Sequence, residues 1–205
     1  MPQVLRKTSA SNTDVTPSVL RQQYNITDFG GKARTNKQAV AAFLEQYFSE
    51  SDLVQFFNNF FSQGAQKVAR ITGPNDQSHP GMEATLDVQY IMSTGAKIPT
   101  WFISTGGLHD NQEPFLEWII AVCNTSDTPQ VHSISYGDIE SSLSQSYTSR
   151  INQEFMKAGL RGISVIFASG IQRIVAFLYC MDAFIGHKIL SPEMHNEMFF
   201  VCIRI

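Results

Sequence analysis

The chain has 205 residues, 43% of them apolar and 11% aromatic, with a formal net charge of -3. That is enough chain for one domain with a core, and an ordinary composition for a globular protein. Its Lys and Arg are scattered with no basic run, so charge gives no reason to expect a nucleic-acid partner. Cys123, Cys180 and Cys202 are the only cysteines, and none sits in a CxxC pair or beside a His at metal-ligand spacing.

Residues 1–15 are polar and are expected to be a flexible N-terminal segment. They contain no apolar run of the kind a secretory signal needs, so none is expected here. No stretch reaches the roughly 20 apolar residues that span a bilayer, so no membrane span is expected. Thr16-Pro17-Ser18 predicts a helix start, with Thr as N-cap and Pro in the first turn, running through Tyr24. Residues 28–36, with Gly30-Gly31, read as a loop. Gln38 to Tyr47 fits either a helix or a buried strand, since apolar residues recur at helical spacing within a nearly continuous apolar run. Ser51-Asp52 then opens a short helix through Leu53, Phe56 and Phe57.

From residue 67 the elements alternate. Strands are predicted at Val68 to Thr72, Pro99 to Ser104, Val131 to Tyr136 and Ile163 to Ala168. Helices are predicted between them at Pro80 to Ser93, Pro114 to Val122 and Ser141 to Ala158. Apolar strands joined by helices predict an α/β fold: a three-layer, doubly wound, mostly parallel sheet covered on both faces. Ligands of such sheets sit beyond the carboxyl ends of the strands. Residues 171–205 read as an apolar tail with no clean period. Ser104-Thr105-Gly106-Gly107 lacks the spacing and the Lys of a phosphate loop, which argues against a nucleotide site.

The segment Gly81-Met82-Glu83-Ala84-Thr85-Leu86-Asp87-Val88-Gln89-Tyr90 carries the chemistry. Glu83 and Asp87 are four apart and share a helix face. On an otherwise apolar segment, two carboxylates side by side repel, and one pKa rises. Such a pair can supply a general base and a group that orients it. The ordinary reading of the same spacing is a solvated helix face with acidic residues near its N-terminus. His79, next to Pro80 and near Glu83, is a lesser candidate for contact with the pair, and His132 reads as a core or edge residue.

GMEATLDVQY, together with VTPSVLRQQYN, FLEQYFSESDL, QEPFLEW, VHSISYGD and VIFASG, resembles the sedolisin family of serine-carboxyl peptidases. These blocks stand in the family's order from Val15 to Gly170, and they are most like its lysosomal, tripeptide-releasing members. The resemblance implies a partial subtilisin-like domain in which Glu83 is the general base for a Ser nucleophile and Asp87 orients it. A carboxylate stays a competent base in acid, where a His would be protonated. Ser135-Tyr136-Gly137-Asp138 resembles the family's substrate-binding edge, with Asp138 as the candidate to hold the free ammonium of a peptide N-terminus. Lysosomal location is likewise implied by resemblance alone.

The sequence departs from the family after Gly170. Ile171 stands where the family carries the oxyanion Asp, and no Gly-Thr-Ser-Ala-like nucleophile block follows. The expectation is therefore that residues 16–170 form the N-terminal part of a peptidase domain, that 171–205 is an unmatched tail, and that the chain is inactive as written. The family's calcium loop belongs to the part without a match, so no cofactor or metal is expected in this chain. Unpaired sheet edges would favour aggregation or chaperone binding. Asn25-Ile26-Thr27 and Asn124-Thr125-Ser126 are candidate glycosylation sequons.

Overall fold

A computed structural model describes residues 14–27, 31, 33, 35–63, 67–107, 114–137, 143–168 and 200–203. Thr16 opens α1 (Pro17–Gln23): its Oγ1 accepts from the Val19 N–H at 3.4 Å, and Pro17 occupies the first turn. A missing N–H costs nothing there, since no carbonyl precedes it in the helix. The segment that fits helix or strand is β1 (Gln38–Ala42), buried at all five positions. A helix hides one face, whereas a central strand is covered on both, and that is the environment Ala39-Val40-Ala41-Ala42 requires. Beyond it Leu44 and Glu45 both take left-handed φ, +54° and +55°, and Gln46 N–H closes the turn on Phe43 C=O at 3.0 Å.

Helix α2 (Glu50–Phe60) begins earlier than Ser51-Asp52 suggests, because Ser49 is the cap; its Oγ accepts from Asp52 N–H at 3.1 Å. Then come β2 (Arg70–Thr72), α3 (Met82–Thr94), β3 (Thr100–Ser104), α4 (Phe115–Asn124), β4 (Val131–Ile134), α5 (Gln145–Leu160), β5 (Ser164–Ala168) and β6 (Phe200–Ile203). The sheet order is β2-β3-β1-β4-β5-β6. The pairs from β2 to β5 are parallel, and β6 runs antiparallel to β5. Strand β6 falls in the segment that reads as a tail without period, so it is an element the pattern did not announce.

Alternation along the strands divides the core in two. Val40, Ala42 and Phe102 pack with Phe48, Leu53, Phe57, Ala84, Val88 and Met92 beneath α2 and α3. Ala39, Ala41, Trp101 and Ile103 face the other way, onto Phe115, Trp118, Ile119 and Ile151 of α4 and α5. Helices on both faces of a parallel sheet make the doubly wound α/β sandwich expected from the sequence. Strand β2 is an edge and is exposed along its length. The chain moves to one side of β1 for β2 and β3, then to the other for β4 and β5. The order therefore reverses around β1, the position at which ligands of such sheets bind, beyond the carboxyl ends of β3, β1 and β4.

Candidate active site

Helix α3 is pinned at both ends. At its start, Gly81 N–H donates to Tyr47 C=O at 2.7 Å, and Thr85 Oγ1 accepts from Ser49 N–H at 3.1 Å. At its end, the buried Gln38 amide donates from Nε2 to the carbonyls of Ile91, at 3.1 Å, and Gly95, at 3.3 Å, and to Thr100 Oγ1 at 2.9 Å. Helix carbonyls without a partner in the last turn are thereby satisfied from the sheet. Since Gln38 starts β1 and Tyr47 follows its end, α3 lies along the central strand with its N-terminal turn beside the strand tips.

Glu83 and Asp87 lie one turn apart on this helix, both half-buried. Asp87 reaches the end of β4, where Ser135 Oγ donates to its Oδ1 at 2.8 Å. Its other oxygen, Oδ2, is buried without a hydrogen-bond partner among the described residues. Burial pushes the Asp87 carboxyl up from 3.8 to about 7; the Ser135 bond opposes that rise and the Glu83 charge adds to it. Asp87 is thus a neutral acid below pH 7, beside a second carboxyl group. Two carboxyl groups side by side, one of them buried enough to favour its neutral form, are an arrangement suited to acid–base chemistry.

The segment after β4 is tied to β1 as well. Tyr136 OH donates to Phe43 C=O at 3.3 Å, and the two rings meet edge to face with centroids 5.1 Å apart. Ser135, Tyr136 and Gly137 are half-buried at the strand tips, and Ser135 meets the carboxylate pair through Asp87. Asp138 lies outside the described residues.

The remaining candidates are elsewhere. His79 does not join the pair: its Nδ1 is 2.8 Å from Asp76 Oδ2 in an exposed turn. Hydrogen bonds from Ser78 and the contact with His79 hold Asp76 down at about 2. His132 is fully buried, its ring edge-on to Trp118. Asn25 is exposed after α1 at φ +52°, and Asn124 is exposed as the last residue of α4. Among the described residues no group of three or more His, Cys, Asp or Glu side chains is placed to hold a metal ion. No described helix is long and apolar enough to cross a membrane. Sequence reading missed the hold of Ser135 on Asp87, because nothing local links residues 48 positions apart.

No protein-family model matches the chain. Over 160 residues it is 52% identical to Tripeptidyl-peptidase 1 of Rattus norvegicus, and 51% identical to the proteins of that name from Canis lupus familiaris and Homo sapiens. Each match takes in 76% of this chain and 28% of the relative, so the chain spans less than a third of the length of the relatives it matches. With identity of one residue in two over that span, and a parallel sheet with helices on both faces, the chain is tripeptidyl-peptidase-1-like, and its fold fits part of a sedolisin-type, subtilisin-like domain.

Proposed function

We propose that residues 16–170 are the base-bearing part of an acid-acting serine-carboxyl peptidase domain that releases tripeptides from the free N-termini of peptides. Glu83 is the general base, taking the proton of an attacking serine hydroxyl. Asp87, neutral in acid, orients Glu83. The segment 135–137 receives the peptide as an added extended strand, and Asp138 holds its ammonium. The observation that carries this reading is the placement of the Glu83–Asp87 pair on α3 at the tips of the strands, with Asp87 bonded across to Ser135. In this reading the site works in a lysosome-like compartment, and Asn25 and Asn124 carry glycans.

The 205 residues contain no Gly-Thr-Ser-Ala-like block and have Ile171 in place of the oxyanion acid. We therefore propose that these residues by themselves bind peptide without cleaving it. Removing the nucleophile of a unit that acts together costs on the order of a millionfold in rate. Two assays test both parts. The chain, at pH 4.5, should bind a tripeptide amide with a free N-terminus more tightly than its N-acetyl form, and Asp138→Asn should remove the preference. It should release no tripeptide above a Glu83→Gln control. Equal binding of the two peptides removes the exopeptidase reading, and turnover above the control removes the claim of inactivity. A second reading, a non-catalytic interaction module, draws on Met82 and Leu86, which are 87% and 47% exposed on the helix that carries the pair.

A further inference from the structure

Ser135 stands at the hinge between the peptide-receiving segment and the carboxylate pair. We infer that it is a positioning residue: its hydroxyl holds Oδ1 of Asp87 and leaves Oδ2 as the oxygen that carries the Asp87 proton toward Glu83. This rests on the reading of Glu83 as the base. The geometry is specific about which oxygen is which. Ser135 Oγ donates to Oδ1 at 2.8 Å. A carboxyl oxygen that accepts a hydrogen bond is the carbonyl-like one, so the acid's own proton sits on the other. That other oxygen, Oδ2, is buried and has no partner among the described residues. A buried O–H left without an acceptor is costly, which makes a neighbouring carboxylate its natural acceptor. Glu83, one turn earlier on the same face, is the charged neighbour that acts on Asp87.

The choice of oxygen resembles the choice of tautomer that an aspartate imposes on a histidine base. Ser135 has a second consequence. It is the first residue after β4, and the next residue, Tyr136, is tied to Phe43 at the end of β1. A peptide lying along 135–137 touches the backbone whose side chain orients Asp87, so substrate and base are registered through one residue.

The test is a carbon-13 carboxyl NMR titration of the 205-residue chain labelled at Asp and Glu. Ser135→Ala should raise the Asp87 midpoint by about half a pH unit or more, since a hydrogen bond to the ionised form is lost. The isosteric pair Ser135→Thr and Ser135→Val guards against a packing effect: Thr should keep the wild-type midpoint and Val should shift it as Ala does. Glu83→Gln should lower the Asp87 midpoint in the wild type and lower it less in the Ser135→Ala background, where Oδ2 is no longer held toward Glu83. An Asp87 midpoint indifferent to Ser135→Ala and Ser135→Val overturns the role of Ser135. So does an effect of Glu83→Gln that is the same in both backgrounds. An Asp87 midpoint that moves with Ser135 yet ignores Glu83→Gln overturns the coupled pair itself, and the base reading with it.

Discussion

Two groups on opposite faces of the sheet, one buried and one half-buried, have pKa values shifted in opposite senses, and removing one should expose the other as a slope of stability against pH. His132 is fully buried, its Nε2–H donates to Pro129 C=O at 2.9 Å, and its Nδ1 has no partner among the described residues. Burial lowers its pKa from 6.5 to about 4, against a smaller upward pull from the Pro129 bond. Asp87 moves the other way, from 3.8 up to about 7. Between pH 4 and 6.5 the unfolded chain has a charged His132 and an ionised Asp87, so together the two groups bind one proton. The folded chain has a neutral His132 and a protonated Asp87, again one proton. Stability depends on pH only through the difference in bound protons, so this pair contributes no net slope across that window.

Asp87→Asn removes one side of the balance. The folded chain then binds one proton fewer, and stability falls as pH drops from 6.5 to 4 at about 1.4 kcal/mol per unit, about 3 kcal/mol in all. His132→Asn leaves Asp87, whose raised pKa contributes stability that is full below 3.8 and lost as pH rises toward 7, up to about 4 kcal/mol. The double variant should be flat again relative to wild type. Urea unfolding followed by tryptophan fluorescence from pH 4 to 7 gives these differences, with other carboxylates cancelling between variant and wild type. Single variants that run parallel to wild type would refute the reasoning, and slopes of the same sign for both would refute the assignment of protonation states.

Other consequences follow from single contacts. Gly73 sits at φ +82°, and a Cβ there would lie 2.0 Å from the Ser104 carbonyl oxygen. Gly73→Ala should therefore destabilise the chain by about 2 kcal/mol or more, read from the urea midpoint. Gln38→Leu keeps the volume but strips the last turn of α3 and Thr100 of their donor, for a loss of about 1–3 kcal/mol in the same assay. Ser49→Ala removes the α2 cap, at a cost of about 1 kcal/mol, and should raise amide exchange at Asp52 before it affects the β4–β5 pairing.

Much of this architecture was legible because the two periodicities differ. The helices α3, α4 and α5 and the strands β3, β4 and β5 fell within a few residues of their predicted spans, bounded by Pro, Gly and Ser where the chain turns. Segment 38–47 stayed ambiguous because a strand buried on both faces has no polar alternation to distinguish it from a buried helix. Its end was not legible either: two consecutive left-handed residues, Leu44 and Glu45, carry none of the Gly or Asn that normally signals such a turn. The expected strand at Val68 to Thr72 shortened to Arg70–Thr72, an exposed edge with a partner on one side only. Strand β6 gave no signal because it lies in an apolar stretch with no clean period.

The site shows the same division. The face shared by Glu83 and Asp87 follows from helical spacing, and spacing is a local property. The asymmetry between the two oxygens of Asp87 depends on Ser135, which only the fold brings near. Likewise His79 lies close to Glu83 in sequence, but the turn at Asp76 offers it a nearer carboxylate and it pairs there.

The central claim is that Glu83 faces a peptide held at the strand tips. An affinity label tests it most directly: a tripeptide with a free N-terminus and an epoxide in place of the scissile carbonyl, incubated with the chain at pH 4.5. Carboxylate opening of the epoxide leaves an ester that mass spectrometry locates to a residue. The account predicts an ester on Glu83, abolished by Glu83→Gln and slowed by N-acetylation of the label. Esters spread over exposed carboxylates such as Asp76 and Glu117, with Glu83 unmodified, would contradict it.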